Sequence, residues 1–341
     1  IGAFASFMFL VFIYLKDSKN RKVLIENSTG YVKQTTREIV GKIISVVIPI
    51  SIGACIMPLV NVVDTVIVIS RLEAAGFTTD AANGMFGQLT GMAMPLIAMP
   101  MIFTTAIGMS LVPAISEAFA LKKYDEARKN AKMAFKITML LVLPCSFGLA
   151  SLSVPISMLL FPKQPPMVVG LLLFVMAPAC VFLGLLYTFN GILQGVGKPY
   201  VPVYALLSGI AAKIVISYVC TAIPSINILG SAFGTIMSYI IAAIIEYTYI
   251  KRFLKIEFDL MDYFVKPLIT VIVMFVAAKY SYVGFNLILG VKLSTLLAII
   301  VGGIVYIVVL LGIGGITKDE ILAMPKGRSI LKKLMKIKLV R

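Results

Sequence analysis

Residues 170–191 read GLLLFVMAPACVFLGLLYTFNG, 22 consecutive positions without one charged side chain. A bilayer's hydrocarbon core, about 30 Å thick, needs about 20 residues of apolar helix, and this stretch supplies them. Working outward, runs of the same kind lie near 43–70, 86–113, 134–161, 201–222, 231–250, 267–283 and 291–313, giving eight full spans. A ninth, 1–15, is shorter and opens at Ile1. It has neither the preceding basic residues nor the small-residue cleavage site of a signal peptide, so it is expected to be the cut end of a longer span. Bulk composition agrees. The chain is 60% hydrophobic and 13% charged, with a mean hydropathy of +1.01, whereas soluble domains are roughly 45–50% apolar and about 25% charged. The expected fold is all-α, a polytopic transmembrane helical bundle.

Charge orients the bundle. The segments 16–42, 122–136, 198, 251–266 and 318–341 hold 26 of the 31 Lys and Arg, while the alternate connections hold only Arg71, Lys163, Lys279 and Lys292. This alternation is the positive-inside pattern and places the C-terminus in the cytoplasm of a multi-pass plasma-membrane protein. It also accounts for a net charge of +16 through anionic membrane lipids. No nucleic-acid partner is expected.

The long polar segment 16–42 reads as a linker between two bundles, and 122–132 as a short amphipathic cytoplasmic helix. The links 223–230 and 284–290 read as tight external turns. Paired prolines, Pro49 and Pro58, Pro95 and Pro100, Pro144 and Pro155, are expected to break three successive spans around a cavity. The tail 328–338 alternates cationic and apolar positions and is expected to lie on the inner leaflet. The four cysteines fall within spans without paired spacing and read as buried, reduced thiols.

Enzyme chemistry finds little purchase. The chain has no His, which removes the commonest acid–base group and metal ligand. Gly195-Val196-Gly197-Lys198 resembles part of a phosphate loop but lacks the upstream Gly and the following Ser or Thr. No metal and no cofactor are expected. Charges inside spans are more telling, because they are costly in hydrocarbon and mark function when they face an interior. Asp64 and Lys213 lie at similar depth from the outer surface and carry opposite sign, so they are expected to pair. Asn61 and Ser217 lie one turn from each on the same helix face. Gln88, Thr90, Thr104, Thr105, Asn190 and Gln194 add polar groups, most of them expected to bond between helices.

Gly87-Gln88-Leu89-Thr90-Gly91-Met92-Ala93-Met94-Pro95-Leu96 runs on to Met109-Ser110-Leu111-Val112-Pro113-Ala114-Ile115-Ser116-Glu117-Ala118-Phe119-Ala120. This block closely resembles the polysaccharide transporter family of the multidrug/oligosaccharidyl-lipid/polysaccharide exporter superfamily, in its stage V sporulation protein B type. Asn190-Gly191-Ile192-Leu193-Gln194-Gly195-Val196-Gly197-Lys198-Pro199 looks like a second family block, and Val63-Asp64-Thr65 followed by Arg71-Leu72 like a third. The family is similar to lipid II flippases and, more remotely, to multidrug and toxin extruders.

The resemblance implies two six-helix lobes with two extra C-terminal helices. On that template 1–15 is the last helix of the first lobe, 16–42 the inter-lobe linker, 43–250 the second lobe, 251–313 the two extra helices and 314–341 a basic tail. The arginines that hold pyrophosphate in related flippases would lie mainly in the first lobe. Some relatives have a sodium site joining an acid of the seventh helix to Asn and Asp of the eleventh. Asp64 matches the acid, but Lys213 and Ser217 stand at the other two places, so no sodium site is expected. The function implied is a monomeric flippase for undecaprenyl-pyrophosphate-linked cell-wall or polysaccharide precursors, working by alternating access. The alternatives are an organic-cation extruder of the same superfamily and a membrane enzyme acting on lipid-linked sugars.

Overall fold

The computed structural model describes residues 2–17, 35–256 and 261–315. The expected inner-leaflet tail lies outside them, as does most of the expected linker. The described residues form helices and turns without a strand. They are α1 (Gly2–Lys16), α2 (Thr36–Ala74), α3 (Thr79–Gln88), a π-helical turn at Leu89–Ala93, α4 (Met94–Ala98), α5 (Met101–Ala120), α6 (Tyr124–Ser151), α7 (Ser153–Leu160), α8 (Pro166–Gly195), α9 (Tyr200–Cys220), α10 (Leu229–Leu254), a second π turn at Met261–Val265 and α11 (Lys266–Gly312). The segments Met101–Ala120, Tyr124–Ser151, Pro166–Gly195, Tyr200–Cys220, Leu229–Leu254 and Met261–Gly312 are long and apolar enough to cross a membrane. This is a multi-pass membrane protein.

The chain divides into two compact units, Ile1–Ile48 and Pro49–Arg341. In the first, α1 turns Phe4, Phe7, Phe9 and Phe12 outward. The first turn of α2 is closed by the backbone N–H of Thr35, which donates to the Glu38 carboxylate at 3.0 Å. This is half of a capping box, which satisfies a donor that a helix start otherwise leaves free.

In the second unit α8 is central, with α5, α6, α7 and α10 packed against it. Glycines make this possible. In hydrocarbon the hydrophobic effect cannot drive helices together, so small residues that let backbones approach decide the contacts. A Cβ at Gly191 would stand 2.2 Å from the carbonyl oxygen of Gly108 on α5, and one at Gly184 would stand 2.4 Å from Val142 on α6. One buried apolar cluster joins Leu72, Leu89, Ile97, Leu173 and Met176. A second, built on Ile115, Phe135, Phe189 and Ile250, includes the Phe135 and Phe189 rings stacked at 5.9 Å.

α11 has 47 residues, which as one straight helix would measure about 70 Å, more than twice the hydrocarbon thickness. It breaks at Gly290, whose φ of 71° and ψ of 167° are non-helical and are open to glycine because it has no Cβ. A Cβ at Gly302 would stand 3.2 Å from that of Ala278, so the chain reverses at the break and its two arms pack side by side. The external turn expected over 284–290 is thus a single residue, with helix running up to it.

Other expectations need correction. The run 86–113 is broken at Met99–Pro100, as Pro100 leads one to expect, and also by a π turn at Leu89–Ala93. Residues 124–132 are the first turns of α6, not a separate amphipathic helix. Its expected span 134–161 breaks at Leu152, between α6 and α7. α2 stays helical through Pro49 and Pro58, and α6 through Pro144. A proline removes one hydrogen bond, but within a bilayer the remaining backbone groups have no partner except the helix itself. α2 also begins at Thr36, so 36–42 is helix where linker was expected. Gly195–Lys198 is the end of α8. Lys198 N–H reaches the Leu193 carbonyl and Gly197 N–H the Gln194 carbonyl, with Gly197 at a φ of 79°. That pattern caps a helix C-terminus and accounts for the phosphate-loop resemblance. Of the cysteines, only Cys180 is fully buried, and Cys55 is exposed.

Candidate functional site

The Lys213 ammonium donates to the Asp64 carboxylate, and the two residues are only 8% and 9% exposed. Asp64 lies ten residues before the end of α2 and Lys213 seven before the end of α9, depths of about 15 and 10 Å at the helical rise. The pair borders a cavity of about 50 Å³, room for a few water molecules. Its polar wall is Asn61, Thr90, Ser231, Thr235, Ser238 and Tyr239.

The wall exists because α9 and α10 touch through glycines. A Cβ at Gly209 would stand 2.4 Å from the Ser238 carbonyl, and one at Gly234 would stand 2.5 Å from Ser217 Oγ and 3.0 Å from the Lys213 carbonyl. The close approach brings the hydroxyls of α10 beside the ion pair. Ser217 Oγ is buried one turn beyond Lys213 without a hydrogen-bond partner among the described residues. Nearer the C-terminal ends of the two helices, Arg71 Nε donates to the Tyr218 carbonyl at 3.0 Å, and its guanidinium lies 4.1 Å from the centre of the Tyr218 ring. α2 is therefore tied to α9 at two levels, by an ion pair and by an arginine stacked on an aromatic ring.

A second cavity, of about 460 Å³ and almost wholly apolar, lies between the α4–α5 break, α6, α7 and both arms of α11. Met99 and Pro100 border it at the break, Pro144 and Gly148 on α6, and Met274 and Tyr306 on the two arms. Tyr306 turns its hydroxyl away to the Leu140 carbonyl at 2.7 Å, which leaves the cavity without a strong donor.

A model of the family described as "Lipid II flippase MurJ" matches residues 1–302. The chain belongs to the MurJ lipid II flippase family. Its similar proteins include "Stage V sporulation protein B" of Bacillus subtilis (strain 168), 27% identical over 336 residues, 96% of this chain and 61% of that protein. "Lipid II flippase MurJ" of the same organism is 24% identical over 259 residues, 74% of this chain and 46% of that protein. An "Uncharacterized membrane protein YabM" is 24% identical over 340 residues, 97% and 61%. This MurJ-family chain thus spans between about half and three-fifths of the length of these relatives.

Among the sequence candidates, Asp64, Lys213, Asn61 and Thr90 come together at the small cavity, and Ser217 is buried one turn beyond Lys213 outside the cavity lining. Arg71 stands apart on Tyr218. Gln88 donates to Gln164 at 3.3 Å, while Asn190 and Gln194 lie on α8 away from the ion pair. The expectation that most polar groups bond between helices fails for the threonines. Thr90, Thr104 and Thr105 bond back to carbonyls of Phe86 and Met101 three or four residues earlier, the cheapest partner for a hydroxyl in a helix. Two buried titratable side chains were hidden in the sequence. Lys136, counted with a cytoplasmic loop, is buried on α6, and Glu246 is 1% exposed on α10. A lone acid inside the run 231–250 was the available signal for Glu246.

Proposed function

We propose that this protein moves undecaprenyl-pyrophosphate-linked cell-wall or polysaccharide precursors across the plasma membrane by alternating access. The observation that carries the reading is the family match through residues 1–302. The apolar cavity against α11 supports it, because a polyprenyl chain needs a long apolar surface and Met side chains adapt to an irregular one. The interrupted α3–α5 segment beside that cavity is a place where helix geometry can change without exposing backbone to lipid. Basic side chains at the expected cytoplasmic ends, Lys122, Lys123 and Arg128 on one side and Lys251, Arg252 and Lys255 on the other, are joined where Arg128 Nε donates to the Leu254 carbonyl at 2.7 Å. They would gather anionic headgroups. Lys213 supplies Asp64 with a tethered cation, so the site has a counter-charge without sodium and no free acid for an organic cation. Residues 1–15 would be the last helix of a first lobe and 16–42 the linker, with 43–250 a second lobe and 251–313 the extra pair.

Expression of the protein in cells depleted of their own lipid II flippase should restore growth. Lysis despite good expression would redirect the proposal to another polyprenyl-linked glycan. Orientation is tested separately. In a Cys-free variant, single cysteines at Lys163 or Asn286 should react with an impermeant thiol reagent from outside, and those at Lys129 or Lys255 should not. The reverse pattern would overturn a cytoplasmic C-terminus.

A further inference from the structure

Glu246 is the one acidic side chain of α10. It is 1% exposed, and its Oε2 has no hydrogen-bond partner among the described residues. It lies on an inward stripe of α10 that descends in steps of three or four residues from Ser231 through Thr235, Ser238 and Ala242, all buried. The upper members of the stripe wall the Asp64–Lys213 cavity. Glu246 is therefore the continuation of that polar wall toward the basic end of the helix. A second orphan stands at its level: Asn190 Oδ1 on α8 is also buried without a partner among the described residues. The rings of their chain neighbours, Phe189 and Tyr247, lie 6.3 Å apart, so α8 and α10 run side by side at these positions.

A carboxylate held there would be buried with no hydrogen bond to its Oε2 from the described residues. An ion so placed takes a proton and becomes neutral instead. The titratable groups on α10 and on the helices packed against it that bear on this are Lys213 of α9, Tyr187 of α8, Lys136 of α6, and Tyr239 and Tyr247 of α10. Lys213 is taken by Asp64, and Glu246 takes part in none of the ion pairs shown among the described residues. A purely structural glutamic acid would be expected to spend its polar atoms on hydrogen bonds, and Oε2 makes none.

We propose that Glu246 is a proton-binding site, neutral in this conformation, which releases its proton to water when the seam between α8 and α10 opens. The step is an acid dissociation alone: the carboxyl O–H bond breaks, the electron pair stays on the carboxylate and the proton passes to water on the side then open. That this step drives transport rests on the alternating-access reading above, whereas the site itself does not.

The test uses the protein in lipid vesicles without substrate, comparing wild type with Glu246→Gln by infrared spectroscopy at neutral pH. The carbonyl band of a protonated carboxylic acid should be present in the wild type and lost in the variant. Identical spectra would overturn the site. Because glutamine mimics the neutral acid, the melting temperature should not fall. A marked fall would mean that the carboxyl is charged and would equally overturn it. With lipid-linked substrate added, an imposed pH gradient should accelerate flipping by the wild type and not by Glu246→Gln, while gradient-free equilibration persists in both. Retained acceleration in the variant would overturn the coupling. Loss of all flipping by the wild type with the band intact would count against the flippase reading and leave the proton site standing.

Discussion

Asp64→Asn and Lys213→Met, made singly, will each destabilise the folded protein by about 3–5 kcal/mol, the usual result of stranding one member of a buried ion pair. The double variant will recover part of the loss, with a coupling energy of about 0.5–3 kcal/mol. The reason is geometric: the two groups touch, both are about nine-tenths buried, and the adjacent cavity has room for only a few waters. Removing either charge leaves the other facing only the neutral polar groups of the cavity wall, among them Asn61, Thr90, Ser231, Thr235, Ser238 and Tyr239. The cycle is read on thermal unfolding in detergent. Strict additivity would show that the residues do not interact. Stabilisation of the wild type by sodium, lost in Asp64→Asn, would show a metal where Lys213 is argued to serve.

The second large effect is steric. Gly191→Val should abolish the contact between α5 and α8, because a Cβ there would stand 2.2 Å from the Gly108 carbonyl oxygen and 2.7 Å from its Cα. Those are backbone atoms and have no rotamer to yield. Overpacking typically costs about 1–3 kcal/mol, sometimes more, and this site is at the upper end because the whole helix must shift. Gly84→Ala is the control. Nothing lies within 4 Å of a Cβ at that position, so it should be neutral or gain up to about 1 kcal/mol from helix propensity. Size-exclusion profiles and melting curves of the two variants should diverge. Similar behaviour would refute the close approach of the helices.

Spans and the ion pair were legible in the sequence for simple reasons. A bilayer demands about 20 apolar residues per crossing, so runs such as 170–191 announce themselves, and opposite charges at similar depth, such as Asp64 and Lys213, have few other ways to be neutralised. Helix continuity was not legible. Pro49, Pro58 and Pro144 look like breaks, yet α2 and α6 run through them, because a membrane helix with one missing bond is better than exposed backbone. The actual interruptions, at Leu89–Ala93, at Met99–Pro100 and at Leu152, lie at or just before Pro95, Pro100 and Pro155, so proline marks a break at some of its positions and not at others. Lys136 reads as part of a basic segment and Glu246 draws no reading, because sequence position gives depth but not direction. Only the packing of α6 and α10 turns them inward.

The central claim is tested most directly by reconstituting the protein in vesicles and following a labelled undecaprenyl-pyrophosphate-linked precursor from one leaflet to the other in sodium-free buffer. The account predicts protein-dependent movement at a rate unchanged when sodium is added at constant membrane potential. Vesicles that hold folded protein yet leave the precursor in its starting leaflet would contradict it.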